Sequence, residues 1–167
     1  MSPRLPLYVR QAAREDADAA CAVLRRSITE CCARDHRNDP AILAAWLGNK
    51  TPGNLRSWFS PPNHAVIAEE NGVTVGVALM GANGMITLNY LLPEAQYKGI
   101  GKAMLEALEK EAATRGLTEL TLSSTVTAHG FYLRNGYADT DRKSGLFGMS
   151  STVMKKTLAP APPAASY

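Results

Sequence analysis

Gln96-Tyr97-Lys98-Gly99-Ile100-Gly101-Lys102-Ala103 lies between an apolar stretch stopped by Pro93 and a long amphipathic run that starts near Gly99. A strand, a glycine loop and a helix start, in that order, make a phosphate-binding arrangement. Glycine lets the backbone turn tightly and come close to a ligand. The first N–H groups of a helix lack intrahelical partners and favour an anion. Lys98 and Lys102 add positive charge nearby. The stretch therefore predicts an anion site for a phosphate or pyrophosphate. It is not a P-loop, because Gln96 stands where the first glycine belongs and Ala103 follows the lysine. It is not a dinucleotide fingerprint either, because Met104 occupies the third glycine position.

Working outward, apolar residues at steps of three and four predict a helix through Ala17, Ala20, Cys21, Leu24, Ile28 and Cys31. Asp39, Pro40 and Gly48 read as cap, first turn and stop of a second helix. Thr51-Pro52 repeats the cap signal before Leu55, Trp58 and Phe59. Strands are predicted at 7–10, 65–68, 73–80 and 85–92, with Asn71-Gly72 as a hairpin turn. A helix over 99–115 ends at Gly116, a strand runs over 118–122, and a short helix covers 128–135. Two strands, 137–141 and 151–158, close the unit. Strand–helix–strand favours a parallel pair, while the hairpin and the final strands favour antiparallel pairing. The expectation is a mixed α/β sheet with helices on both faces, one domain over 1–158 and an Ala/Pro-rich tail over 159–167.

Composition agrees with one globular domain. The chain has 167 residues, 46% hydrophobic and 20% charged, with a formal net charge of +3. No apolar run reaches the length of a transmembrane span. Lysines and arginines are dispersed, which argues against nucleic acid as a partner. The amino-terminal residues lack the apolar core of a signal peptide. Three cysteines, Cys21, Cys31 and Cys32, without framework spacing, read as free thiols of a cytoplasmic protein, and no metal-ligand pattern is present.

Gln96-x-x-Gly99-x-Gly101 resembles the pyrophosphate loop of the GNAT superfamily of acyl-CoA-dependent N-acyltransferases. Pro93-Glu94, the segment Phe131-Tyr132-Leu133-Arg134-Asn135-Gly136-Tyr137 and the closing Val153-Met154-Lys155-Lys156 fit the same family in order and spacing. The resemblance implies a mostly antiparallel, twisted sheet whose central parallel pair splays to admit acetyl-CoA. It implies cofactor contacts from Tyr90, Leu91, Leu92, Gln96, Tyr97, Lys98, Gly99, Ile100, Gly101 and Lys102. A backbone N–H near Leu91 would polarise the thioester carbonyl. Tyr132 would bind near the sulfur and protonate the departing thiolate. The acceptor amine would attack directly. The resemblance also makes a homodimer an expectation.

The general base stays open at this level. The strand before the loop offers Met85, Thr87, Asn89 and Tyr90, with neither acid nor histidine. Water, Glu94 or His129 are the alternatives. Glu30, Asp35 and His36, between the first two helices, are candidates for gripping an ammonium group, set against a plain capped connection. An acyl-CoA-binding module without turnover is the alternative to an enzyme.

Overall fold

The computed structural model describes residues 7–160, the side chains of 144 and 146 excepted. The tail beyond 160 and the first six residues lie outside that range. Among the described residues, seven strands form one sheet in the order β1-β2-β3-β4-β5-β7-β6. They are β1 (Tyr8–Gln11), β2 (His64–Glu70), β3 (Val73–Met80), β4 (Met85–Leu91), β5 (Glu119–Ser124), β6 (Ala138–Leu146) and β7 (Met149–Thr157). Every pairing is antiparallel except β4 with β5. The helices are α1 (Ala17–Cys31), α2 (Ala33–His36), α3 (Pro40–Leu47), α4 (Pro52–Trp58), α5 (Ile100–Thr114) and α6 (His129–Arg134). No helix among the described residues is long and apolar enough to cross a membrane.

Local signals account for most boundaries. The Asp39 carboxylate accepts the N–H groups of Ala41 and Ile42, and the Thr51 hydroxyl accepts that of Asn54. Asn71 and Gly72 both take positive φ, 54° and 78°, so the turn twists with its strands. The four-residue helix α2 has no such signal and is absent from the sequence reading. The last two strands run longer than expected, each with nine residues, because each supplies the other's hydrogen bonds where side-chain alternation is weak.

Consecutive strand residues point to opposite faces, and β4 shows which helix covers which. Leu91 packs on Gly101 of α5. Tyr90 packs with Ile28, Cys32 and Trp46 on the α1 side. The α6 helix shares the α5 face. The Lys156 ammonium, 2.6 Å from Glu109 of α5, also donates to the Asn135 carbonyl at the end of α6. Leu24, Ile67, Val77, Met104, Leu108, Leu120, Leu122 and Met154 are buried between or beside these layers.

Strand β4 carries one residue too many. Leu79 faces Leu88 while Met80 faces Ile86, which leaves Thr87 without a partner on β3. Such a bulge bends the strand and raises its twist. The parallel pairing of β4 with β5 covers only Met85–Thr121 and Ile86–Leu122 and stops at that bulge. Beyond it the two strands separate, and the sheet opens between them.

Candidate functional site

The opening between β4 and β5 continues into a cleft of about 1160 Å³. Its lining runs from Ile86–Leu91 and Leu122–Tyr132 to the loop before α5, and on the α1 side to Ser27, Cys31, Cys32 and Arg34. The cleft passes through the sheet, from the face of α5 and α6 to the face of α1 and α2.

Backbone direction along β4 follows from one hydrogen bond. The Leu92 N–H donates to Val75 O at 2.9 Å. In an antiparallel pair, alternate residues turn their polar groups to the same neighbour. Tyr90 and Leu88 therefore turn to β3 along with Leu92, while Asn89 and Leu91 turn N–H and C=O into the opening. Of the three residues Tyr90, Leu91 and Leu92, the structure directs only Leu91's amide at the cleft. Asn89, unassigned in the sequence reading, joins it.

Gly99, at φ 80°, ends the approach to α5 in a left-handed conformation that suits glycine. No side chain caps the helix, so the N–H groups of its first turn have no capping partner, and the residues that carry them line the cleft. Gly101 sits at a close approach. A Cβ there would lie 3.3 Å from Phe131 Cζ and 3.5 Å from Leu91 Cδ1. Gln96, Tyr97, Gly99, Ile100, Gly101 and Lys102 line the cleft. Tyr97 extends fully into solvent at φ 62°. The Lys98 ammonium lies 3.2 Å from Glu70, and that of Lys102 lies 3.9 Å from Glu106.

Tyr132 is buried on α6, edge-on to Phe131 and Tyr137 at ring separations of 5.2 and 5.7 Å. Burial pushes its phenol up to about 12, and the nearby Asn89 amide draws it partly back. The group is therefore protonated at neutral pH. Asn89 Oδ1 is buried and has no hydrogen-bond partner among the described residues. A buried acceptor is costly unless a donor arrives, and Asn89 lines the cleft, where an amide N–H of a threaded ligand would supply one.

Glu30, Asp35 and His36 stand outside the cleft lining. Glu30 is exposed and pairs with Arg26 at 2.8 Å, and Arg26 also grips Glu94. Asp35 is buried. Its carboxylate accepts the Val126 N–H at 2.7 Å, the Thr127 N–H at 3.2 Å and the Thr127 hydroxyl at 2.5 Å. His36 is fully buried. Its Nδ1 accepts the Asn38 N–H, so Nε2 carries the proton and donates to Ile28 O at 2.9 Å. Both side chains hold α2 in place. His129 Nε2 lies 2.7 Å from Asp139 on the α6 face, and both line the cleft. Neither Arg34 nor Asp139 carried a sequence signal, since their placement depends on contacts with distant segments.

Comparison with known proteins follows this geometry closely. A GCN5-related N-acetyltransferase from Rhodopseudomonas palustris superposes with a TM-score of 0.81 at 25% identity, covering 95% of this chain and 99% of that one. The PaiA N-acetyltransferase of Thermoplasma acidophilum, solved with coenzyme A, superposes with a TM-score of 0.80 at 20% identity, covering 92% and 99%. A Bacillus subtilis relative is 28% identical over 94 residues, which are 54% of this chain and 64% of that protein, so the chain spans just under two thirds of that relative. The family model described as an acetyltransferase (GNAT) domain matches residues 39–158. A bulged, splayed parallel pair beside an uncapped glycine-led helix thus has a family to match it, and the chain belongs to the GNAT acetyltransferases.

Proposed function

We propose that this chain transfers the acetyl group of acetyl-CoA to a primary amine by direct attack. The observation that carries the reading is convergence. The Leu91 N–H turns into the opening where β4 leaves β5, and Tyr132, its phenol protonated, lines the same cleft. The residues present fit acetyl-CoA. N–H groups of the first turn of α5, from Gly99 to Lys102, suit a pyrophosphate. Asn89 and Leu91 offer strand-like hydrogen bonds to the amides of the pantetheine arm. Acetyl-CoA supplies an activated thioester.

The chain's own groups then divide the work. The Leu91 N–H stabilises the oxygen as it gains charge on amine attack. Tyr132 holds the proton that the departing thiolate takes. Among the described residues lining the α1 side there is no carboxylate or imidazole. In this reading the amine's proton passes to solvent on that side.

Release of free thiol from acetyl-CoA across a panel of amines is the direct test. Tyr132→Phe should cut kcat by about a hundredfold or more while KM for acetyl-CoA changes little. The sign of the pH dependence follows from burial. A phenol raised to about 12 keeps its proton, so activity should not fall on the alkaline side below about pH 11 on its account. An acetyl-CoA-induced rise in melting temperature, with no thiol released by any amine, would favour the binding module over the enzyme.

A further inference from the structure

Resting on that reading, we infer that the acceptor is an aminocarboxylate, an amine whose own carboxylate is read by Arg34. The cofactor's anion belongs to the α5 face, so the acceptor reaches the thioester from the opposite face, that of α1 and α2. Charge is distributed unequally between the two. Lys102, His129, Arg134, Asp139 and Lys143 belong to the α5 and α6 side. There Asp139 is engaged by His129, and Lys143 donates to Thr152 of β7. On the α1 side the lining includes Ser27, Cys31, Cys32 and Tyr90, all neutral, together with Arg34.

Arg34 has neither ion pair nor hydrogen bond to another described residue, and its neighbours in α2 are anchored firmly. Asp35 and His36 spend buried polar groups on fixing this four-residue helix against the 126–127 loop and the end of α1. That anchoring delivers an unpaired guanidinium to the rim of the acceptor chamber. A guanidinium takes a carboxylate in two parallel hydrogen bonds. No carboxylate lines this side to attract an acceptor with several ammonium groups. An acceptor with one amine and one carboxylate satisfies the chamber, and a polyamine does not.

The experiment pairs amino acids with their decarboxylated counterparts, adds a linear polyamine, and reads kcat/KM by thiol release. Aminocarboxylates should lead their counterparts by roughly ten- to hundredfold. Arg34→Ala should erase that ratio by raising the acceptor's KM, and Arg34→Glu should invert it. Equal or better turnover of decarboxylated amines or the polyamine overturns the inference, as does a ratio unmoved in Arg34→Ala. Calorimetric binding of the amino acids to the CoA complex separates this from the reading beneath it. Binding lost in Arg34→Glu, with no turnover by any amine, supports the acceptor site and rejects the enzyme. Absence of amino-acid binding, alongside turnover of other amines, rejects the site and keeps the enzyme. A rise in the melting temperature of each variant with acetyl-CoA shows that the fold is intact.

Discussion

The two walls of the cleft are made of different things. On the α5 face the wall presents backbone: the N–H groups of an uncapped helix, the Leu91 amide freed by a bulge, and a glycine that leaves room for Phe131. On the α1 face the wall is held by side chains, with Asp35 and His36 fixing α2 through hydrogen bonds to segments far away in sequence. A backbone wall tolerates change in most side chains but not in chain geometry. A side-chain wall can be rebuilt for another acceptor while the sheet stays the same.

The largest effect should come from filling the backbone wall. In Gly101→Val, the Cβ lies 3.3 Å from Phe131 Cζ before either γ-methyl is placed. The methyl groups must push Phe131 or stand between the ligand and the first-turn N–H groups. Affinity for acetyl-CoA, read by calorimetry, should fall by about a hundredfold, or roughly 3 kcal/mol. Melting temperature without ligand should also fall, by about 2–8 °C, because Gly101 is buried against Phe131 and Leu91 and the methyl groups overpack that contact. A large loss of stability with unchanged affinity would mean that the glycine serves packing alone.

Asp35→Ala should act in the opposite sense, on stability more than on the donor. It leaves two backbone N–H groups and the Thr127 hydroxyl without their acceptor, which costs about 3 kcal/mol when each of these three part-buried groups is taken at the low end, about 1 kcal/mol. At this chain length the melting temperature should drop by about 6–12 °C. Acetyl-CoA affinity should stay within a few fold. Asp35→Asn keeps one acceptor oxygen and should recover part of the loss. A collapse of acetyl-CoA binding in a folded Asp35→Asn would show that the two walls are one unit.

This difference in material also explains what could be read from sequence. The donor wall was legible because backbone geometry leaves marks on residue type. Glycine stands where φ is positive, proline where a strand must stop, and Asn-Gly where a hairpin turns. The order of elements and the family both follow from such marks. The acceptor wall was illegible because Asp35 and His36 read as ionisable residues in a polar connection. Their role rests on partners such as Val126, 91 positions away. The bulge at Thr87 escaped for a similar reason. A register shift belongs to a pair of strands, and neither strand alone carries its signature. Short α2 lacks the three or four turns that periodicity needs.

The smallest effect sharpens the contrast most. The sequence draws attention to Lys98 and Lys102 beside the glycine loop, and a wall of side-chain charge would depend on them. In the structure each lysine is largely exposed, with side-chain accessibilities of 50% and 63%, and each is near its own acid, Glu70 or Glu106. Exposed charges of this kind contribute little, and salt screens them further. The first-turn N–H groups of α5 stay in place whatever those side chains are. The double variant Lys98→Ala/Lys102→Ala should therefore weaken acetyl-CoA binding by no more than about threefold to fivefold at physiological ionic strength. A loss beyond tenfold, fading as salt is raised, would place the anion's recognition on the lysines and make both walls side-chain walls.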